Sequence, residues 1–191
     1  MRNTLWSMTF VPLLLVAGIG ASANAVNPLA RRSSAARYAD VTETRFHVSG
    51  DGILFITNEV THSTEPTPTG LIRRSSVAGT LDGDIIGSFL FVPTATFDFV
   101  NGTLVNTGTQ FFAGTIAGSE TVILHDDTFR FEVDLNTGET HGTIHLSRSN
   151  DSPLHGGWFE CDLEIVGTGV TADGNLMSDY SGTCLRRGAI S

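Results

Sequence analysis

The sequence predicts an all-β fold: an antiparallel, closed or nearly closed β-barrel of about eight strands, behind a cleaved signal peptide. From Val41 to Leu185 the chain is a series of short β-rich runs divided by turn dipeptides: Asp51-Gly52, Asp82-Gly83, Asn101-Gly102, Thr137-Gly138 and Asp173-Gly174. No window there sustains a helical period, and strands so spaced argue a sandwich or barrel. Three Phe-x-Phe pairs, Phe89/Phe91, Phe97/Phe99 and Phe129/Phe131, each set two rings on one strand face, because strand side chains alternate.

The first 25 residues read as a leader. Arg2 is a short positive start, Phe10–Gly20 is an apolar run, and Ala23-Asn24-Ala25 is a small-x-small cleavage site. The run is shorter than the about 20 residues a bilayer span needs, so no integral membrane segment is expected after processing; a membrane anchor is the alternative. The expected address is secreted or periplasmic. Residues 26–40, with Arg31, Arg32 and Arg37, form a flexible basic arm, and residues 41–191 form the barrel domain.

Composition excludes several classes. The chain has 191 residues and a net charge of −9, and all 11 of its basic residues are Arg. Without lysine there is no Schiff base and no P-loop. An acidic chain without clustered cations is a poor nucleic-acid binder. No cofactor is called for.

The strand runs are 43–49, 52–61, 74–81, 84–92, 95–100, 109–116, 119–125, 128–135, 140–147, 158–167 and 175–184. Cys161 and Cys184 suggest one disulfide in an oxidising compartment, the alternative being two buried thiols. If they pair across adjacent strands, the turn centres beside Asp173-Gly174, and Leu163 faces Gly182 while Ile165 faces Tyr180. The bridge then lies on the apolar face with Phe159, Leu163 and Ile165. In the hairpin of 128–135 with 140–147, matching like faces across the turn puts Phe131 opposite Ile144 and Phe129 opposite Leu146. On the outer face this sets Arg130 opposite His145 and Asp134 opposite His141.

The Phe pairs, with Phe55, Phe111, Phe112 and Phe159, supply a large apolar interior. Such a barrel is either packed solid by its rings or roomy enough for a hydrophobic small molecule. The segment Ala78-Gly79-Thr80-Leu81-Asp82-Gly83 recurs as Ala113-Gly114-Thr115-Ile116-Ala117-Gly118, which reads as two hairpins built alike.

These two segments, the strand Phe89–Phe91 and the closing Tyr180-Ser181-Gly182-Thr183-Cys184 resemble the allene-oxide-cyclase-like and dirigent-like β-barrels across about 41–185. The resemblance implies an eight-stranded barrel with an apolar pocket, a possible homo-oligomer, and a cofactor-free cyclase or isomerase activity. By that resemblance Glu59 and Asn58 are the candidate catalytic pair. Phe55, Phe89, Phe91, Phe129, Phe131 and Tyr180 are the candidate ligand-binding residues.

The residues themselves give Glu59 two readings. In Ile53-Leu54-Phe55-Ile56-Thr57-Asn58-Glu59-Val60, apolar on both faces, its carboxylate is partly desolvated and suited to general acid–base work. Alternatively it sits at a strand end, paired with Arg73 or Arg74. His125-Asp126-Asp127, His141 and His145 look like metal-ligand material, but His141 and His145 lie about 13 Å apart along one strand, too far to share an ion. No metal site is therefore assigned. Trp158 is either a sugar-stacking ring or an interface residue, and Asn101 and Asn150 head glycosylation sequons. The competing functional reading is a non-catalytic envelope or interaction module with a filled barrel, its partner surface near Trp158 or on an exposed sheet face.

Overall fold

A computed structural model describes residues 41–147 and 158–189. The leader, the basic arm and the Asn150 sequon lie outside the described residues. The strands are β1 (Val41–Leu54), β2 (Val60–Pro66), β3 (Gly70–Gly83), β4 (Ile85–Asp98), β5 (Thr103–Ile116), β6 (Val122–Asp134), β7 (Thr140–Ser147), β8 (Trp158–Val170) and β9 (Leu176–Ala189). A single 3-10 turn, Ile56–Asn58, separates β1 from β2. No helix among the described residues is long and apolar enough to cross a membrane.

Every pairing is antiparallel. The sheet runs β1-β9-β8-β7-β6-β5-β4-β3, and β1 closes it onto β3 through Gly50↔Gly83 to Leu54↔Gly79. Eight strands thus make a closed barrel, with five residue pairs forming the closure; residues 41–49 of β1 and the whole of β2 pair on one side only among the described residues. β2 continues along β3 beyond the end of β1, pairing Val60↔Ser76 to Pro66↔Leu71.

Four of the five turn dipeptides are turns, with Gly83, Gly102, Gly138 and Gly174 at positive φ. Asp51-Gly52 is not: it lies within β1, where Gly52 faces Leu81. The runs 84–92 and 95–100 form one strand through Pro93. The ladder to β3 lapses between Arg74↔Thr94 and Val77↔Phe91, where proline has no N–H to donate. The runs 119–125 and 128–135 are likewise one strand. A bulge opposite Phe111, between Gln110↔Asp127 and Phe112↔Leu124, absorbs the extra residue of His125-Asp126.

The β8–β9 hairpin has the expected register, with Cys161↔Cys184, Leu163↔Gly182 and Ile165↔Tyr180. The β6–β7 hairpin is displaced by two residues from expectation: Phe129 faces Ile144, Phe131 faces Gly142, Arg130 faces Thr143 and Glu132 faces His141. The loop is centred one residue earlier, between Asn136 and Thr137. Asp134 closes it by bonding Glu139 O through its N–H, and its carboxylate accepts the N–H groups of Asn136 (2.7 Å) and Thr137 (3.2 Å). A two-residue slip keeps parity, so inner and outer faces are as expected although the partners differ.

Candidate functional site

The inward face carries the core, from Val48 on β1 through Leu81, Ile85, Phe112, Leu124, Leu146 and Leu163 to Cys184. Its centre is a stack of aromatic rings. Ring centroids lie 4.5 Å apart for Phe89–Phe91, 4.3 Å for Phe91–Phe129 and 5.5 Å for Phe129–Phe131, distances typical of packed aromatic pairs. Three of the four rings find room by facing a glycine on a neighbouring strand: Phe89↔Gly79, Phe129↔Gly108 and Phe131↔Gly142; Phe91 faces Val77 and Gln110. Tyr180 faces Gly50 in the same way, and its hydroxyl accepts the Ile85 N–H at 2.7 Å, tying β9 to the start of β4. Burial raises the Tyr180 pKa above its ordinary value of 10.0.

Five of the six candidate ligand-binding residues therefore meet inside the barrel. Phe55 does not join them; it precedes the 3-10 turn, half-buried. Phe111 and Phe99, also expected inside, are 46% and 60% exposed. The recurring segments end β3 and β5 alike: Gly79 and Gly114 lie beside Phe rings, Leu81 and Ile116 are buried, and Gly83 and Gly118 turn at positive φ.

Asn58 and Glu59 sit at the end of the 3-10 turn, not in a continuous strand. Their N–H groups bond Phe55 O and Ile56 O. Glu59 Oε2 lies 3.3 Å from Arg73, whose guanidinium is 5.0 Å from the Phe97 ring centroid. Of the two readings for Glu59, the arginine-paired one matches this geometry. Nearby on the inward face, Ser75 Oγ, Asn106 Oδ1 and both amide atoms of Gln110 are buried without a hydrogen-bond partner.

Cys161 and Cys184 form a disulfide within the core, both fully buried. His141 bonds Glu139 at 3.0 Å, and Ser147 N donates to Asp127 at 2.7 Å. Among the described residues no group of three or more His, Cys, Asp or Glu is placed to hold a metal. Trp158 is half-buried beneath Arg187, whose guanidinium carbon is 4.3 Å from its ring centroid and which also pairs with Glu43. That ring face is taken by the protein itself.

The residues that converge on open space lie on the outer wall. A depression of about 810 Å³ crosses β1, β9, β8, β7 and β6. Its floor is the main chain of the cross-strand row Gly182↔Leu163↔Ile144↔Phe129. One bank is the row His47, Thr183, Asp162, His145, Thr128; the other is Ser181, Glu164, Thr143, Arg130. Strand spacing makes this groove about 19 Å long, and two residue steps make it about 7 Å wide. His145 Nδ1 is fixed by Asp162 Oδ1 at 2.7 Å, and Arg130 is held by Glu132 at 2.5 Å.

Sequence reasoning missed this groove as a unit. Its members are ordinary outward polar residues on five strands, and only the strand order brings them together. The signal that was available is the Cys161–Cys184 register, which already places Asp162 beside Thr183. Comparison with protein-family models, curated proteins and solved structures finds no match.

Proposed function

We propose that the protein is a non-catalytic exported binding module, with a packed barrel as scaffold and the outer groove as the seat of a polyhydroxylated, saccharide-class ligand. The observation that carries this is the groove itself, open and lined by four hydroxyls, two imidazoles and two carboxylates over a main-chain floor. Such groups both donate to and accept from sugar hydroxyls. With Arg130 tied to Glu132 and Asp162 to His145, Glu164 leaves the lining acidic, which disfavours phosphate or nucleic acid. Export is supported by the leader pattern and by the disulfide. The test is calorimetric titration with a panel of neutral oligosaccharides, with amide-shift mapping. Saturable binding that moves Thr143, His145, Asp162 and Thr183, and that weakens at least tenfold in His145→Ala, supports the reading. Binding unchanged in that variant, or none across the panel, removes it.

A second reading is favoured by the unpartnered inward atoms of Ser75, Asn106 and Gln110. A hydrophobic small molecule with a polar head, lying against Phe91, Phe129 and Phe131, would give those atoms partners. Glu59 and Asn58 would then guide a cofactor-free cyclisation or isomerisation of the allene-oxide-cyclase-like type. This reading requires Glu59→Gln to alter the binding or turnover of an apolar ligand.

A further inference from the structure

Four polar residues of β3 and β5, namely Arg73, Ser75, Asn106 and Gln110, lie on the inward face. Ser75 is 1% exposed and Gln110 0%. Ser75 Oγ, Asn106 Oδ1, both amide atoms of Gln110 and Arg73 Nε are buried with no hydrogen-bond partner. Between them runs β4, which brings no polar side chain inward: Ala95 lies between Arg73 and Asn106, Phe91 beside Gln110 and Pro93 beside Gly108. Two strand spacings, about 10 Å, separate β3 from β5. The polar atoms therefore face one another across a patch of small residues.

Buried polar groups are almost always bonded, and the chemistry of these atoms defines what can bond them. Asn106 Oδ1 and Gln110 Oε1 accept, Gln110 Nε2 and Arg73 Nε donate, and Ser75 Oγ does either, so the occupant both donates and accepts. It is neutral, because a cation would lie beside the Arg73 guanidinium and an anion beside the fully buried Asp127, the cross-strand partner of Gln110. Arg73 already has its counter-charge in Glu59 at 3.3 Å. It is small, because Phe91, Phe129 and Phe131 fill the adjoining volume with centroids 4.3 to 5.7 Å apart. Water meets all three conditions. A buried water makes about three hydrogen bonds, so these atoms match about two waters.

We propose that Ser75, Asn106 and Gln110 hold a cluster of ordered water inside the barrel, with the Glu59–Arg73 pair at its outer end. The inward polar atoms then need no ligand head, which agrees with a packed scaffold. The groove is built on β1 and β6–β9, so this inference does not rest on the groove's ligand and either can fail alone.

The test joins magnetic relaxation dispersion of the solvent, which counts waters that stay longer than the molecule tumbles, to water–protein NOE and ROE spectra, which place them. The variants are Gln110→Met, which removes both amide atoms at similar length, Ser75→Ala and, on the groove side, Thr143→Ala. In the wild type the expected result is long-lived water beside the Ala95 methyl and the Gln110 amide, with cross-peaks of opposite sign in the two spectra. Each inner variant should lose about one such water, and Thr143→Ala none. Ser75→Ala is the smaller change and keeps the test valid if Gln110→Met fails to fold. Absence of long-lived water at Ala95 and Gln110 overturns the proposal. So does an unchanged count in either folded inner variant, or a native mass spectrum in which the exported chain retains a small molecule that Gln110→Met loses.

Discussion

The Phe131 ring lies across Gly142, its direct partner on β7, so closely that a Cβ on residue 142 would stand 2.0 Å from the ring. The same relationship joins Phe89 to Gly79 at 2.2 Å. These glycines are seats for rings, so Gly142→Ala is expected to overpack the barrel and destabilise it by about 1–3 kcal/mol. Shrinking the ring with Phe131→Leu in the same chain should recover part of that loss. Urea midpoints for the four species give the coupling; additive effects would show that ring and glycine are energetically independent.

Tyr180→Phe removes the one hydroxyl that satisfies the Ile85 N–H inside the barrel, and it is expected to cost about 1–3 kcal/mol in denaturant titration. The pH dependence has a definite sign. Because the folded pKa lies above the ordinary 10.0, the unfolded chain loses this proton first. The contribution is therefore whole below pH 10.0 and declines as pH rises through the folded value. Tyr180→Phe should show a shallower fall in stability on the alkaline side than the wild type.

Asp98 gives the opposite slope. The N–H and the side-chain amide of Asn101 bond its carboxylate and hold its pKa below the ordinary 3.8. Its stabilisation is complete above pH 3.8 and is lost as pH falls through the lower folded value. Asp98→Asn should lose less stability than the wild type between about pH 5 and about pH 2; identical acid profiles would exclude this turn as a contributor.

The Cys161–Cys184 bridge spans a sequence separation of 23, and on the loop-entropy account it contributes about 3 kcal/mol. The double variant Cys161→Ala/Cys184→Ala should unfold at lower urea with its far-UV β signature intact. An unchanged midpoint would mean that the reduced hairpin already holds its register.

Most of the architecture was legible because alternation and turn chemistry are local. Phe159, Cys161, Leu163 and Ile165 declare one face, and the two cysteines fix their partners. The β6–β7 pairing was misread by two residues because matching apolar to apolar rejects Phe131 against Gly142, the pair that the ring's bulk selects. Asn58 and Glu59 were read as strand because Ile53–Ile56 is apolar at every position, a pattern that does not reveal the 3-10 turn following it. The groove was illegible for a topological reason: His47 and His145 are nearly a hundred residues apart, and each is unremarkable until the pairing of β1 with β9 sets them on one wall.

The most direct test of a packed interior is a search for nuclear Overhauser contacts between a medium-chain fatty acid and the rings of Phe91, Phe129 and Phe131, using selectively labelled protein. The expected result is no contact with those rings at any ligand concentration at which the protein stays folded. Saturable contacts to all three rings would contradict the account, and would make the barrel a container instead of a scaffold.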